Sequence, residues 1–235
     1  MNTIDDLNIS TLTALTSIDN NIDIEKLYSY IQKNNLSRPE TKENNFTDIG
    51  VIRHPIKLTK ASNKTKIFKN QIQLHLPLQG KTTIRQVKIK VFNNGRLHIT
   101  GTQSMKMIDQ VLNVVNDFFI KSEILILNQI NISDIMKKVN IVMVNMTIDA
   151  EFKINQKLFK DILINKYNIY SEFNPKTYAG LNVHYEQDGI KQASFLIFQS
   201  GKINIAGAKG IDYLISAKKF ILDTLSKERN NIELK

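Results

Sequence analysis

The alternation of hydrophobic and polar residues predicts a chain of antiparallel strands interrupted by a few one-sided helices. Residues 72–76 and 87–91 alternate with the period of two that half-buried strands show. Residues 108–119 keep the i, i+3, i+4 spacing of an amphipathic helix, and Ser104 is a suitable N-cap before it. The elements predicted for this half are strands at 9–18, 72–76, 87–91 and 97–100 and helices at 23–31 and 104–119.

The second half of the chain repeats this order of elements. Its predicted strands are 139–147, 178–185, 193–198 and 202–206, and its predicted helices are 155–166 and 211–225. A tight turn is predicted at Asn94-Gly95, where both turn residues would take a positive φ, and another at Ser200-Gly201. The charged tail 226–235 is expected to fray.

A peptide of eleven residues occurs once in each half. Residues 92–102 read FNNGRLHITGT and residues 198–208 read FQSGKINIAGA, so that equivalent positions are always 106 residues apart. Two long copies do not make a solenoid, which needs at least three short units. The duplication predicts a pseudo-twofold α+β protein with a first repeat at 1–120, a connector at 121–138 and a second repeat at 139–235. The first repeat carries a polar insertion at about 33–66.

The two faces of the predicted strands differ in character. In residues 87–92 the odd positions are aliphatic and are expected to lie under the helices, whereas Lys88, Lys90 and Phe92 face the other way. Phe198 is the equivalent of Phe92 in the second half. Two interpretations remain open at this point: these rings fold over the sheet edge as core, or they stand exposed as wedges for a partner.

Composition narrows the class of partner. The net charge of +10 favours a polyanion, either nucleic acid or an acidic membrane surface. A chain rich in Asn, Ile and Lys also follows from an AT-rich coding genome, so charge alone decides little. No apolar run approaches the ~18 residues expected of a membrane helix. The first residues lack the features of a signal peptide, so an intracellular protein that does not enter a membrane is expected.

The residues that carry catalysis in other proteins form no recognisable group in this sequence. The chain has no cysteine, and its four histidines have no metal-ligand spacing. Residues 207–210 (GAKG) lack the spacing of a phosphate-binding loop and are better suited to a strand-to-helix turn. We therefore expect no enzymatic activity, no metal and no cofactor.

Three segments resemble one known family. Residues 196–209 (LIFQSGKINIAGAK) closely resemble the LIFxSGKxxxTGAK signature of the TATA-box-binding protein family, and residues 92–102 resemble the signature of its first repeat. Residues 173–181 (FNPKTYAGL) resemble its YEPELFPGL segment. The resemblance spans both halves and is nearest to the divergent forms carried by large DNA viruses.

The resemblance implies a saddle, with a curved antiparallel sheet and helices on its convex face. In that family the concave face binds the minor groove of AT-rich promoter DNA and bends it, because apolar wedges partly unstack base steps. The wedges would be Phe68, Phe92, Tyr178 and Phe198. The other DNA-binding residues expected from the resemblance and from the strand faces are Lys90, Arg96, His98, Thr100, Asn145, Leu196, Lys202, Asn204 and Lys209.

Several positions depart from the pattern of the family. Its concave asparagines fall on Thr11 and Met143, although Asn145 follows two residues later on the same face. The apolar floor becomes polar at Lys90, His98 and Asn204. These changes predict weaker TATA selectivity and stronger salt dependence, because each neutralised phosphate adds about 0.9 to the logarithmic salt slope.

Smaller departures affect single contacts. Two phosphate-binding arginines of the family correspond to Leu74 and His184, and the lysine that ends the first signature becomes Gln103. A threonine kept at Thr100 becomes Ala206 in the second half.

The predicted function is that of a general transcription initiation factor that nucleates a preinitiation complex in the nucleus or in a cytoplasmic viral factory. Its partners would be duplex DNA, a B-type initiation factor and RNA polymerase machinery. Asn174 and Lys176 replace the acidic pair through which the family contacts the B-type factor, so a co-diverged, virus-encoded partner is expected. The alternative is a protein-interaction module that kept the fold and lost specific DNA binding.

Overall fold

A computed structural model describes residues 7–34, 52–53, 56–57, 66–67, 70–80, 82–124, 131–187 and 189–234. Phe68 and most of the predicted insertion lie outside the described residues. The chain divides into two compact units. We call Thr13–Asn140 the N-terminal unit, and Ile141–Lys235 with Met1–Leu12 the C-terminal unit.

The N-terminal unit contains an antiparallel sheet with helices on one face. Its strands are β1 (Ile9–Ser17, which begins in the C-terminal unit), β2 (Ile52–Arg53), β3 (Ile56–Lys57), β4 (Lys66–Ile67), β5 (Gln71–Gln79), β6 (Ile84–Phe92) and β7 (Arg96–Thr102). Its helices are α1 (Ile24–Lys33), α2 (Met105–Lys121) and α3 (Ile132–Lys137). The strand order is β2-β5-β6-β7-β1, and β3 pairs with β4 separately.

The C-terminal unit has the same kind of architecture. Its strands are β8 (Asn140–Asp149), β9 (Ser171–Glu172), β10 (Leu181–Gln187), β11 (Ile190–Ile197) and β12 (Lys202–Ala208), in the order β8-β12-β11-β10-β9. Its helices are α4 (Gln156–Asn165) and α5 (Ile211–Ile232).

Each core lies between the helices and one face of its sheet. In the N-terminal unit, alternate residues of β5 and β6, from Ile72 to Leu76 and from Val87 to Val91, are fully buried. The matching side chains of the C-terminal unit include Val183, Phe195 and Ile205. The period-two pattern therefore identified the helix-covered face correctly. The opposite face of each sheet, which we call the open face, carries the intervening side chains.

The last helix is longer than the sequence pattern predicted. Helix α5 runs to Ile232, so the expectation that residues 226–235 fray is wrong for most of that segment. The cause is Glu228, a buried carboxylate that accepts hydrogen bonds from Lys166 Nζ at 2.7 Å, Tyr167 OH at 2.7 Å and Asn231 Nδ2 at 3.1 Å. These donors outweigh burial and lower the pKa of Glu228 to about 2.

The residues after α5 secure the beginning of α4. The backbone N–H of Asn155 donates to Ile232 O at 2.7 Å, and Leu234 N donates to Lys153 O at 2.9 Å. Ile154 and Glu233 form an antiparallel bridge between these two segments. The first turn of α4 is therefore held by the end of the described chain.

Two further details concern the connector and Tyr178. The predicted connector contains helix α3, which begins at the N-cap Asn131. Tyr178 was expected at the start of a strand, but it lies in the loop before β10. That loop is held at Asn174, whose backbone carbonyl accepts the N–H groups of Thr177 and Tyr178, each at 3.0 Å.

The turn at Asn94-Gly95 also differs from its prediction. Gly95 has a φ of +77°, but Asn94 stays outside the left-handed region. The N–H of Gly95 donates to Phe92 O at 2.9 Å, which is the geometry of a type I turn followed by a left-handed glycine. The C-terminal unit repeats it, because Gly201 has a φ of +92° and its N–H donates to Phe198 O at 3.0 Å.

These two turn glycines sit against backbone as well as having a positive φ. A Cβ on Gly95 would lie 2.3 Å from Asn20 O, and one on Gly201 would lie 2.3 Å from Phe152 O. Each unit thus needs glycine at the third position after its phenylalanine. This requirement fixes the backbone of the turn that carries the phenylalanine in both units.

Candidate nucleic-acid interface

The open faces of the two units present equivalent rows of side chains with different chemistry. Cross-strand pairing aligns Lys90 with Gln73 and His98 in the N-terminal unit. In the C-terminal unit the corresponding residue Leu196 is aligned with Asn182 and Asn204. A second row consists of His75, Lys88 and Thr100 in the N-terminal unit. In the C-terminal unit the same row consists of His184, Ser194 and Ala206.

Two aromatic rings meet on the open face of the C-terminal unit. The ring centroids of Tyr178 and Phe198 are 6.1 Å apart with an interplanar angle of 64°, an edge-to-face contact. Tyr178 is 49% exposed and Phe198 is half-buried. Phe92, at the equivalent turn of the N-terminal unit, is half-buried as well. Neither phenylalanine belongs to the buried core, so the interpretation in which these rings complete the core is not supported.

The row in the N-terminal unit combines a cationic lysine with a histidine whose pKa is lowered. Lys90 is half-buried between Gln73 and His98. Burial lowers the pKa of His98, and the neighbouring charge of Lys90 lowers it further, so the imidazole is neutral at pH 7. This row can offer one fixed positive charge and a histidine that becomes charged only when an anion approaches or the pH falls.

The strand β5 corrects one residue correspondence. Leu74, expected to occupy an arginine position of the family, is fully buried under the helices. His75 is the open-face residue, and it is paired with Lys88 on the next strand. His184 is paired with Ser194, which is the position equivalent to Lys88 in the second repeat. His75 and His184 are therefore the equivalent pair. His75 Nε2 lies 2.7 Å from Gln73 Nε2, and His184 Nε2 lies 3.4 Å from Asn182 Nδ2.

In the C-terminal unit, hydrogen bonds orient two side-chain amides. The backbone N–H of Gly207 donates to Asn145 Oδ1 at 2.8 Å, at the irregular pairing between β12 and β8. The hydroxyl of Thr147 donates to Asn204 Oδ1 at 3.0 Å. Because both amide oxygens already accept, the amide NH₂ groups of Asn145 and Asn204 are the part left for an external acceptor.

A cavity of about 470 Å³ adjoins Phe92 in the N-terminal unit. Its walls combine the apolar side chains of Leu15 and Leu97 with the cationic groups of Arg96 and Lys138. Lys138 forms an ion pair with Asp19, and this contact lowers the pKa of Asp19. The cavity therefore offers an apolar wall next to positive charge on the same side as Phe92.

The remaining predicted site residues lie at the ends of the strands. Arg96 and Lys202 are exposed at the starts of β7 and β12, and Lys209 is exposed just after β12. Thr100 is half-buried on the open face. Gln103, the counterpart of Lys209, is buried, and its Oε1 would lie 2.8 Å from a Cβ at Gly80, so its side chain lies close to that glycine.

The family model described as transcription factor TFIID, or TATA-binding protein (TBP), matches residues 138–228. A TATA-box-binding protein-like protein of Acanthamoeba polyphaga mimivirus is 27% identical over 252 residues, which cover 97% of this chain and 67% of the viral protein. The second half of this chain therefore resembles the TBP family in sequence, and the chain as a whole is similar to a viral TBP-like protein. The structure of Methanococcus jannaschii TBP matches with a TM-score of 0.60 and 20% identity, covering 94% of this chain and 98% of the archaeal one. That match confirms the predicted α+β, TBP-like fold.

Two open-face residues were not identified from the sequence. Gln73 and His75 share a face with Lys90, and the period-two alternation of β5 contained the signal for both. Thr147 was not identified either, because its role depends on the cross-strand contact with Asn204.

The described residues form neither a metal site nor a membrane-spanning helix. Among the residues that the structure describes, no three His, Asp or Glu side chains are grouped closely enough to hold a metal ion. None of the described helices has the length and apolar character needed to span a membrane.

Proposed function

We propose that this protein binds AT-rich promoter DNA in the minor groove and bends it. The contact between Tyr178 and Phe198 carries the proposal, because it places a partly exposed aromatic pair on an open sheet face. Such rings can partly unstack a base step, and the unstacking cost of a few kcal/mol is offset by the extra protein surface that a bent duplex contacts. Phe92 would provide the corresponding wedge of the N-terminal unit, and Phe68 would complete the set.

The side chains around the wedges suit a polyanionic groove. Lys90, Arg96, Lys202 and Lys209 would neutralise phosphates, and the net charge of +10 acts in the same direction. The oriented NH₂ groups of Asn145 and Asn204 would donate to the acceptors that A·T pairs present in the minor groove. His98, Thr100 and Leu196 would contact the same groove.

The DNA complex would nucleate transcription initiation with a B-type factor and RNA polymerase, in the nucleus or in a viral factory. The loop proposed to meet the B-type factor presents Lys176 and Asn174, and Asn174 Oδ1 accepts the backbone N–H of Lys176 at 3.2 Å. A partner that docks on this loop would carry acidic groups opposite Lys176. This chemistry favours a virus-encoded factor that changed together with the loop, and the role is one of binding rather than catalysis.

A duplex labelled with fluorophores at both ends tests the DNA-bending proposal. Wild-type protein should bind an AT-rich duplex and shorten its end-to-end distance, whereas Phe198→Ala and Phe92→Ala should each reduce both effects. Tyr213→Ala is the matched control, because Tyr213 is an exposed aromatic residue of the same unit that lies on helix α5. Binding without any change of end-to-end distance would refute the wedge mechanism.

The polar character of the open faces also motivates the alternative function, a protein-interaction module. Gln73, Lys90 and His98 replace an apolar floor with groups that can bind an acidic protein surface. The same titration decides between the two functions. Absence of binding to any duplex at low salt, with a folded protein, would favour the interaction module.

A further inference from the structure

The geometry points to Gln156 as the positioning residue for the aromatic pair of Tyr178 and Phe198, and this inference rests on the proposed function of that pair as a DNA wedge. Gln156 is the first residue of α4 and is 7% exposed. Its Nε2 donates to Ala179 O at 2.8 Å and to Ile197 O at 2.7 Å. These two carbonyls belong to the residue after Tyr178 and the residue before Phe198.

One amide nitrogen therefore joins the two backbone segments that carry the rings. The NH₂ group of glutamine has two hydrogens, and each is used for one of the two carbonyls. The loop that holds Tyr178 has no strand pairing of its own at Ala179, whereas Ile197 ends β11. The amide fixes the spacing between a loop and a strand end, which sets the distance between the rings.

Gln156 is itself held rigidly. Asn155 caps α4 by accepting the N–H of Leu158 at 3.2 Å, and the N–H of Asn155 donates to Ile232 O at 2.7 Å. The side chain of Gln156 consequently projects from a fixed helix start.

Gly180 provides the space in which the rings of Tyr178 and Phe198 pack. A Cβ at this position would lie 2.7 Å from Tyr178 Cε1 and 3.2 Å from Phe198 Cε1. The rings thus pack over a residue that has no side chain. Gln156 fixes their backbone anchors, and Gly180 leaves the space in which they meet.

The N-terminal unit provides an internal comparison. The equivalent first residue of α1 is Ile24, which follows the N-cap Asp23 and is buried as an apolar side chain. Both units otherwise repeat the local backbone contacts, since Ile22 N donates to Asn93 O at 2.8 Å and Ile154 N donates to Gln199 O at 2.9 Å. The amide link to the wedge is therefore a property of the C-terminal unit within the described chain.

The test compares Gln156→Leu with the matched control Gln192→Leu. Gln192 is also 7% exposed, lies in the same unit, and donates to Gln187 O at 3.4 Å and Ile190 O at 3.0 Å in the β10–β11 hairpin. Both variants leave two carbonyls without their glutamine donor, so both should lose similar stability in urea unfolding. Only Gln156→Leu should reduce affinity for an intact AT-rich duplex, by about tenfold, and reduce the change in end-to-end distance.

A second duplex separates positioning from general damage. When a mismatch already kinks the duplex at the intercalated step, the aromatic rings need to supply less free energy to unstack that step. The deficit of Gln156→Leu should then shrink to about twofold. Gly180→Ala, which displaces Tyr178 and keeps Gln156, should reproduce the same pattern. Equal losses for Gln156→Leu and Gln192→Leu on both duplexes would overturn the inference.

The free protein gives a readout that does not need DNA. Nuclear Overhauser contacts between the Tyr178 and Phe198 rings should be present in wild type and in Gln192→Leu and absent in Gln156→Leu. If they persist in Gln156→Leu, the positioning role is wrong whatever the DNA result. If wild type shows the contacts but neither binds nor bends any duplex, the proposed function fails while the positioning role stands.

Discussion

The N-terminal and C-terminal units share a backbone plan but equip their open faces differently. Both place a phenylalanine before a tight turn whose glycine has a backbone carbonyl only 2.3 Å from where a Cβ would lie. On the strand before that turn, one unit has Lys90 beside His98 and the other has Leu196 beside Asn204. The difference teaches that the two units share the parts that set backbone geometry, whereas their open-face side chains differ: a charged residue in one unit stands where the other has an aliphatic one beside a hydrogen-bonding amide.

The largest expected effect tests the feature that the two units share. Gly95→Ala and Gly201→Ala should each destabilise the protein by about 3 kcal/mol, because a positive φ and a clash with a backbone carbonyl act together. Gly189→Ala is the control, since Gly189 has a φ of +71° but nothing within 4 Å of the added Cβ, and it should cost about 1 kcal/mol. Urea unfolding measures all three. A control variant as damaging as the other two would show that strain alone explains the cost.

The hydrogen-bonding unit should discriminate against the exocyclic amine of guanine. Duplexes in which 2,6-diaminopurine replaces adenine add this donor to the minor groove, opposite the NH₂ groups of Asn145 and Asn204. Affinity should fall by about tenfold per substituted contact. In a duplex that contains guanine, replacing guanine with inosine removes the same amine and should raise affinity. Asn204→Asp replaces the donor with an acceptor and should reduce the discrimination. If wild type binds all of these duplexes equally, the amides do not read the groove.

Exchanging one pair of side chains should move the charge from one unit to the other. Lys90→Leu should reduce the magnitude of the logarithmic salt slope by about 0.9, and Leu196→Lys should increase it by a similar amount. Between 50 and 200 mM salt each change corresponds to about a threefold difference in affinity. The double exchange should restore the wild-type slope. Equilibrium titrations at four salt concentrations provide the measurement, and an unchanged slope in Lys90→Leu would place that lysine away from phosphates.

The smallest expected effect is the pH dependence of the N-terminal unit. The pKa of His98 lies below 6.5 in the free protein because of burial and Lys90, so the histidine is neutral at pH 7. A polyanion favours the protonated form of His98, so DNA affinity should rise as pH falls from 7.5 to 5.5. This rise should be about twofold larger in wild type than in His98→Gln. By the same linkage, the free protein loses stability as pH falls below 6.5, because the unfolded chain binds the proton more readily. Identical pH profiles for the two proteins would contradict the assignment.

Most of the fold could be predicted from the sequence because its signals are local. Period-two alternation identified the buried face of β6, and the duplicated peptide located both turns. The turn type at Asn94 was wrong because a glycine at the second position fits more than one hairpin geometry. The length of α5 was underestimated because a carboxylate at Glu228 looks exposed until its donors from Lys166 and Tyr167 are known.

The site was less accessible to sequence reasoning because its important contacts are long-range. The residues joined by Gln156 are 23 and 41 positions away, and a glutamine at a helix start carries no local sign of either contact. The open-face position of His75 was missed in favour of Leu74 because the correspondence was taken from the resemblance, although the alternation of β5 places these two residues on opposite faces. The contact between Tyr178 and Phe198 likewise depends on a loop held from outside.

The division of the chain between the two units has a consequence for the order of events during synthesis. Residues 13–140 emerge from the ribosome as a contiguous block, so the N-terminal unit can form early. Residues 7–12 belong to the other unit, and residues 232–234 help to secure the first turn of α4. At about 5–20 residues per second, the beginning of β1 waits about 10–45 seconds for its unit to be made. The half that carries the aromatic pair is therefore the last to mature.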